Sequence, residues 1–146
     1  ENLGNSFVNA NSTSTKYALI GIRLQSNKAF TSVLTIDHRT LAKTNDDFLW
    51  ELYLNPTVAG TFTYNTVSNS SVEVAKGASG GSNTITGGTL LQSGYGEGNS
   101  SSGGIIDNAI KIGQSIAGVS DEIVLVVQPL TSNLDIYGSL TWREFS

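Results

Sequence analysis

Residues 121–145 read DEIVLVVQPLTSNLDIYGSLTWREF: two strand-length runs, 122–127 and 134–145, separated by a turn cluster that contains Pro129, Ser132 and Asn133. The first run is apolar and β-branched almost throughout, the pattern of a strand covered on both faces. The second alternates, with Ile136, Gly138, Leu140 and Trp142 set against Tyr137, Ser139, Thr141 and Arg143, so it buries one face and leaves the other toward water. A doubly covered strand beside a half-exposed one requires a sheet with something packed on it. Part of 134–145 is also a candidate for burial against another copy in a symmetric oligomer.

The same alternation recurs upstream. Residues 17–25 place Ala18, Ile20, Ile22 and Leu24 on one face and Tyr17, Leu19, Gly21 and Arg23 on the other. Residues 48–54 bury an even face of Phe48, Trp50, Leu52 and Leu54, with Trp50 in the core. Asn55-Pro56 ends that strand, because proline cannot donate to a ladder and pushes the preceding residue away from the helical region. Shorter strands are expected at 31–37, 61–67, 71–75, 83–86 and 89–93, with the polar run 39–47 as a loop and Ser68-Asn69-Ser70 and Gly87-Gly88 as turns.

Ten of the sixteen glycines fall in residues 77–104, so 94–104, GYGEGNSSSGG, reads as a flexible loop. The run IIDNAIKI at 105–112 fits a two-turn helix with Ile105, Ile106, Ala109 and Ile110 inward, or a strand using Ile110 and Ile112; a short helical turn leading into a strand is the expectation. About nine or ten short strands with turn signals every 8 to 12 residues predict an all-β fold: an antiparallel β-sandwich, jelly-roll-like, with at most one short helix. Residues 1–15 are rich in Asn, Ser and Thr, with Leu3, Phe7 and Val8 their only large apolar side chains. They are expected to form a flexible N-terminal arm or linker, either a disordered tail or a strap on a neighbouring subunit, ahead of a single sandwich domain at 16–146.

A chain of 146 residues is one domain's worth and can bury a core without staples. It has no cysteine, so disulfides, thiolate metal sites and a cysteine nucleophile are excluded. Its net charge of −4 argues against nucleic acid or an anionic membrane as partner. No apolar run approaches the roughly 18 residues of a membrane-spanning helix, and the first residues lack the basic-then-apolar order of a signal sequence. The absence of Met, at position 1 as elsewhere, suggests a processed chain or a fragment of a longer one.

No catalytic signature emerges. The single histidine, His38 in Asp37-His38-Arg39, would need a nucleophile and an orienting acid to act as a base, and reads instead as a surface residue at a strand end. Gly77-Ala78-Ser79-Gly80-Gly81 matches the nucleophile-elbow pattern, but no helix-forming run follows it. Gly94-Tyr95-Gly96-Glu97-Gly98-Asn99 has Asn99 where a dinucleotide fingerprint needs its third glycine, and no phosphate-loop motif occurs. Asp46 and Asp47, after Asn45, could offer oxygens to Ca²⁺, yet read as solvated turn residues. Tyr95 could stack on a sugar or another flat partner. Asn11, Asn69 and Asn99 open glycosylation sequons, relevant only in a eukaryotic secretory route. No catalytic, cofactor-binding or metal-binding residue is assigned, and no cofactor is expected.

The segments 16–23 (KYALIGIR), 54–64 (LNPTVAGTFTY), 121–125 (DEIVL) and 138–144 (GSLTWRE) resemble a domain found in virion structural proteins of tailed bacteriophages. The resemblance covers most of residues 16–145, and its motifs are structural. It implies a non-enzymatic β-rich module on the virion surface, of the head-decoration, head-fibre or tail-associated kind, where such modules are often jelly rolls and often homotrimers. The partners it implies are further copies of the chain and other virion proteins such as the major capsid protein. The alternative expectation is a receptor- or glycan-binding module of a phage tail or fibre, reading a host-surface glycan with the loop region 77–104. A hydrolase using Ser79 and His38 stands behind both.

Overall fold

In the computed structural model, which describes residues 1–131 and 133–145 and gives the backbone alone at 107–109, the strands are β1 (Val8–Ala10), β2 (Tyr17–Leu24), β3 (Ser32–Ala42), β4 (Phe48–Leu54), β5 (Thr57–Val58), β6 (Asn65–Thr66), β7 (Val72–Lys76), β8 (Ile85–Thr86), β9 (Thr89–Gly96), β10 (Ser101–Ile112), β11 (Glu122–Pro129) and β12 (Leu134–Phe145). Ser132 of the expected turn and the Ala109 side chain of the expected helix face lie outside the described residues. One sheet runs β1-β12-β3-β10, another β6-β7-β2-β11-β4-β9, and β5 pairs with β8. All pairings are antiparallel. Set aside the additions at 55–88 and the order becomes β1-β12-β3-β10 facing β2-β11-β4-β9. Successive strands alternate between sheets except at β4 and β9, and this is a jelly roll.

The main core lies between the sheets. It joins Leu19, Ile20, Ile22, Phe48, Leu52, Ile123 and Leu125 of the larger sheet to Val33, Ile112, Leu134, Ile136 and Leu140 of the smaller one. β11 is covered on both faces, as its unbroken apolar run predicts. Ile123, Leu125 and Val127 enter the main core, while Val124 and Val126 point outward into a second cluster with Ala18, Tyr53 and Ile85. A flap made of β5, β8 and the irregular residues 59–64 covers that second cluster, with Val58 and Phe62 packed on it. Asn83 pins the flap: its amide donates to the carbonyls of Ala59 (2.9 Å) and Thr61 (3.0 Å), and its side-chain oxygen accepts from the Ala78 N–H (2.8 Å). Each of those backbone groups would otherwise be left without a partner beside a buried side chain.

The structure departs from the expectations in several segments, each for a local reason; of the expected strand 61–67 only Asn65–Thr66 is strand, because 61–64 belong to the flap. Residues 1–15 are laid on the chain's own smaller sheet in place of a flexible arm: Val8, Asn9 and Ala10 pair with Ile136, Asp135 and Leu134, and Leu3, Val8 and Ala10 are buried. Residues 105–112 are strand, not helical turn, because 101–105 and 110–112 pair with β3, with an irregularity between Ile105 and Ile110 that turns Ile106 and Ile112 into the core. Most of the expected loop 94–104 is also strand. A Cβ at Gly94 would sit 2.5 Å from Trp50 Cζ2, and one at Gly96 2.2 Å from Phe48 Cζ, so these glycines seat the two aromatic rings of the neighbouring strand. The expected loop 39–47 begins only after Ala42, since β3 continues against β12.

Candidate functional site

β3 decides where the one histidine goes. Thr141 pairs with Asp37 and Trp142 with Thr35, so Ile36 has no opposite number and the strand carries a bulge there. The extra residue shifts the alternation by one: Val33 and Thr35 face the core on one side of the bulge, and His38, Thr40 and Ala42 on the other. His38 is therefore not a surface residue. It is 1% exposed, and its ring centroid lies 4.0 Å from that of Trp50 with the planes tilted by 45°. Neither ring nitrogen has a hydrogen-bond partner among the described residues. Burial holds its pKa below the ordinary histidine value; the Asp37 charge opposes that shift and the Arg39 charge adds to it. A neutral imidazole sealed between two sheets can neither reach a substrate nor relay a proton to water.

Ser79 lies exposed in the turn after β7, where the Gly81 N–H bonds the Ala78 carbonyl (3.0 Å) and the Ser79 carbonyl accepts from Asn9 (2.9 Å). No helix follows it, and with His38 enclosed the two cannot form a nucleophile–base pair. The glycines of 94–98 hold aromatic rings and, at Gly98, donate an N–H to Asp47 Oδ1 (3.1 Å); they form no phosphate cradle. Asp46 is buried instead of solvated. Its carboxylate accepts from the Asn133 N–H (2.9 Å) and the Thr131 hydroxyl, locking the β11–β12 turn to the β3–β4 turn. Among the described residues no three His, Cys, Asp or Glu side chains are placed to hold a metal ion. Of the sequon asparagines, Asn69 and Asn99 occupy left-handed turn positions, and Asn11 accepts from the Tyr17 hydroxyl (2.9 Å).

Two polar clusters escaped the sequence reading because their members come from different strands. Lys16 Nζ lies 2.7 Å from Glu51 Oε2 and donates to the Tyr53 hydroxyl (2.6 Å). Burial opposes the lysine's charge, but Glu51 and Tyr53 outweigh it and raise the pKa above the ordinary value. Arg23 bonds Glu73 (2.8 Å), approaches Glu122 (3.5 Å) and lies 4.2 Å from the Tyr64 ring centroid. The first cluster joins the residue before β2 to β4 and the second joins β2 to β7, β11 and Tyr64 of the flap, with each cation already engaged by a carboxylate.

What remains free is surface. An open groove of about 680 Å³ runs between Thr61, Thr63, Asn65, Thr66 and Ser68, with the Lys76–Glu1 ion pair (3.3 Å) at its side. The outer face of the larger sheet is partly covered by the flap, whereas that of the smaller sheet is covered at its rim by Phe7, which packs edge-on against Tyr137 (6.0 Å), and leaves other described apolar side chains exposed. There Leu41, Ile105 and Phe145 are 49%, 74% and 49% exposed, in register with a half-buried Tyr137 and with Arg39, Arg143 and Lys111. No protein-family model matches the chain, and neither a curated protein nor a solved structure matches it.

Proposed function

We propose that the chain is a non-enzymatic structural module of a tailed-bacteriophage virion, a capsid-decoration or head-fibre type domain whose work is assembly and display on the particle surface. The observation that carries the reading is the outer face of the β1-β12-β3-β10 sheet, with Leu41, Ile105 and Phe145 exposed on a frame whose histidine is enclosed and whose Lys16 and Arg23 are each paired with a carboxylate. The phage-like segments fall on that frame: 16–23 on β2, 121–125 on the start of β11, 138–144 on β12, and 54–64 on the turn and flap that close the second cluster. Jelly rolls serve viral capsid proteins and lectins alike, so the fold narrows the function without choosing it. Immunogold labelling of purified particles with an antibody to this chain, alongside mass spectrometry of the same particles, tests the reading. Label on intact particles is the expected result; recovery of the chain from infected-cell lysate with none on particles would overturn it.

The second reading, glycan binding, is favoured by the hydroxyl- and amide-lined groove at 61–68, and not by 77–104, much of which is strand. A glycan array on the folded protein separates the two: a hit abolished by Asn65→Ala with the fold intact supports glycan binding, and an empty array removes it.

A further inference from the structure

The outer face of the smaller sheet and one corner on the opposite side of the sandwich carry opposite charge beside exposed apolar side chains. Of the eight Lys and Arg side chains, Arg39, Lys111 and Arg143 lie on the outer face of the smaller sheet and Lys43 at its rim, over the Phe7 ring at 4.5 Å. Arg143 and Lys111 flank Leu34 from either side, and Arg39 sits in the next rows beside Asp37. The described carboxylates of this face are Asp37, held by Arg39 (3.2 Å), and Asp135, held by the Asn9 amide (2.6 Å). Of the eight cations and twelve acids of the chain, three cations lie on this face and a fourth at its rim, so the other four cations share the rest of the chain with a larger number of acids. On the opposite side of the sandwich, at the corner the flap leaves open, exposed Asp47 and Glu97 adjoin Tyr95 (74% exposed) and Leu130 (45% exposed). Tyr95 pairs with Leu49 on that outer face, and the Leu130 N–H bonds the Asp47 carbonyl (2.9 Å).

We propose that copies of this chain associate head to tail, the cationic face around Arg39, Arg143 and Ile105 of one docking on the acidic corner around Asp47, Glu97 and Tyr95 of the next. This rests on the reading of the chain as an assembly module and names its partner as a second copy. Like charge disfavours pairing the cationic face with itself, so the contact is between two different patches, which build a ring if the rotation closes and an open stack if it does not. The aliphatic side chains on the cationic face favour a protein partner over a polyanionic sugar, because they gain only where apolar surface covers them.

The test is solution mass by light scattering on the whole chain and on two surface variants, Arg39→Glu/Arg143→Glu and Asp47→Lys/Glu97→Lys. The wild type is expected to associate at about 10 mM ionic strength, where charges are felt over about 30 Å, and to dissociate toward monomer near 1 M, where that reach is about 3 Å. Each variant alone is expected to associate at least about tenfold more weakly. Mixed in equal amounts, the two variants are expected to associate again, since each retains the patch the other has lost and the two reversed patches are complementary to each other. That recovery also shows both to be folded. A wild type that stays monomeric at low salt, or folded variants that associate like the wild type, would overturn the proposal. Particle labelling is read separately, so a monomer on labelled particles sinks this contact and leaves the virion assignment standing. Binding of dextran sulfate in place of self-association would assign the face to a polyanionic sugar and overturn the proposal as well.

Discussion

The imidazole of His38 lies against the indole of Trp50, centroids 4.0 Å apart, across the space between the two sheets of the sandwich. The contact joins β3 of one sheet to β4 of the other, and it exists because the Ile36 bulge turns His38 inward. Burial there favours the neutral form of the ring.

That gives the domain an acid-sensitive point. The folded-state pKa of His38 is lowered by burial from 6.5, whereas the unfolded chain binds its proton near that ordinary value. Below about pH 6.5 the unfolded state therefore takes up more protons, so this contribution to stability is complete above that pH and is lost as pH falls toward the lowered folded value. Urea unfolding of the wild type and of His38→Leu at pH 7 and pH 5 reads it. The wild type is expected to lose more stability on acidification than the variant, and at pH 7 the variant is expected to be no less stable, because an unpaired buried imidazole costs about 1–3 kcal/mol. Equal losses in the two proteins would show that His38 is not the sensitive group.

Gly94 and Gly96 are expected to tolerate no side chain, although both stand in what composition alone marks as loop. Gly94→Ala and Gly96→Ala should each destabilise by about 1–3 kcal/mol, as the Trp50 and Phe48 rings are forced from their seats. Gly104→Ala, where a Cβ meets nothing within 4 Å, is the matched control and should be near neutral. Thermal melts of the three variants decide it, and equal melting temperatures would contradict the ring-seating account.

These glycines also show how far the residues alone could be read. Period-two alternation located β2, β4 and β12, and the unbroken apolar run located β11, since those patterns are written within one segment. A bulge depends on the partner strand, so nothing within residues 31–42 announced that Ile36 would have no opposite number or that His38 would face inward. In β2 the pairing moves from Ile20 opposite Leu125 to Ala18 opposite Val126, so Tyr17 and Leu19 join Ile20, Ile22 and Leu24 in the main core. Strict alternation had placed them on the far face. The spacing Phe48-x-Trp50 facing Gly94-x-Gly96 was a usable signal, a large pair matched to an empty pair two residues apart. The cationic face and the acidic corner were not legible, because their residues lie far apart in the chain and only the strand order assembles them.

Asp46 is expected to act as a turn lock and not as a calcium ligand. Asp46→Ala should destabilise by about 1–3 kcal/mol, through loss of the bonds from the Asn133 N–H and the Thr131 hydroxyl, and Asp46→Asn by less because one carbonyl oxygen remains. Thermal melts in Ca²⁺ and in chelator are expected to superimpose. A calcium-dependent rise in melting temperature that disappears in Asp46→Ala would instead establish a binding site there.

Asn83 should be the most sensitive polar residue of the flap. It is 1% exposed and spends both amide hydrogens and its oxygen on the backbone of residues 59, 61 and 78. Asn83→Ala leaves those groups without partners and is expected to cost about 3 kcal/mol. Asn83→Asp keeps the oxygen that accepts from Ala78 but turns the two donations into repulsion between a carboxylate and two carbonyls, so it should cost at least as much. Because the flap covers Val124, Val126 and Tyr53 while the main core lies on the other side of the sheet, local opening should precede global unfolding. Hydrogen exchange on Asn83→Ala is therefore expected to speed up first at the amides of Ala59 and Ile85, which bond Thr84 and Lys16, with β3 and β12 still protected. Uniform loss of protection through both sheets would mean that the flap is part of the cooperative core and not a layer added to it.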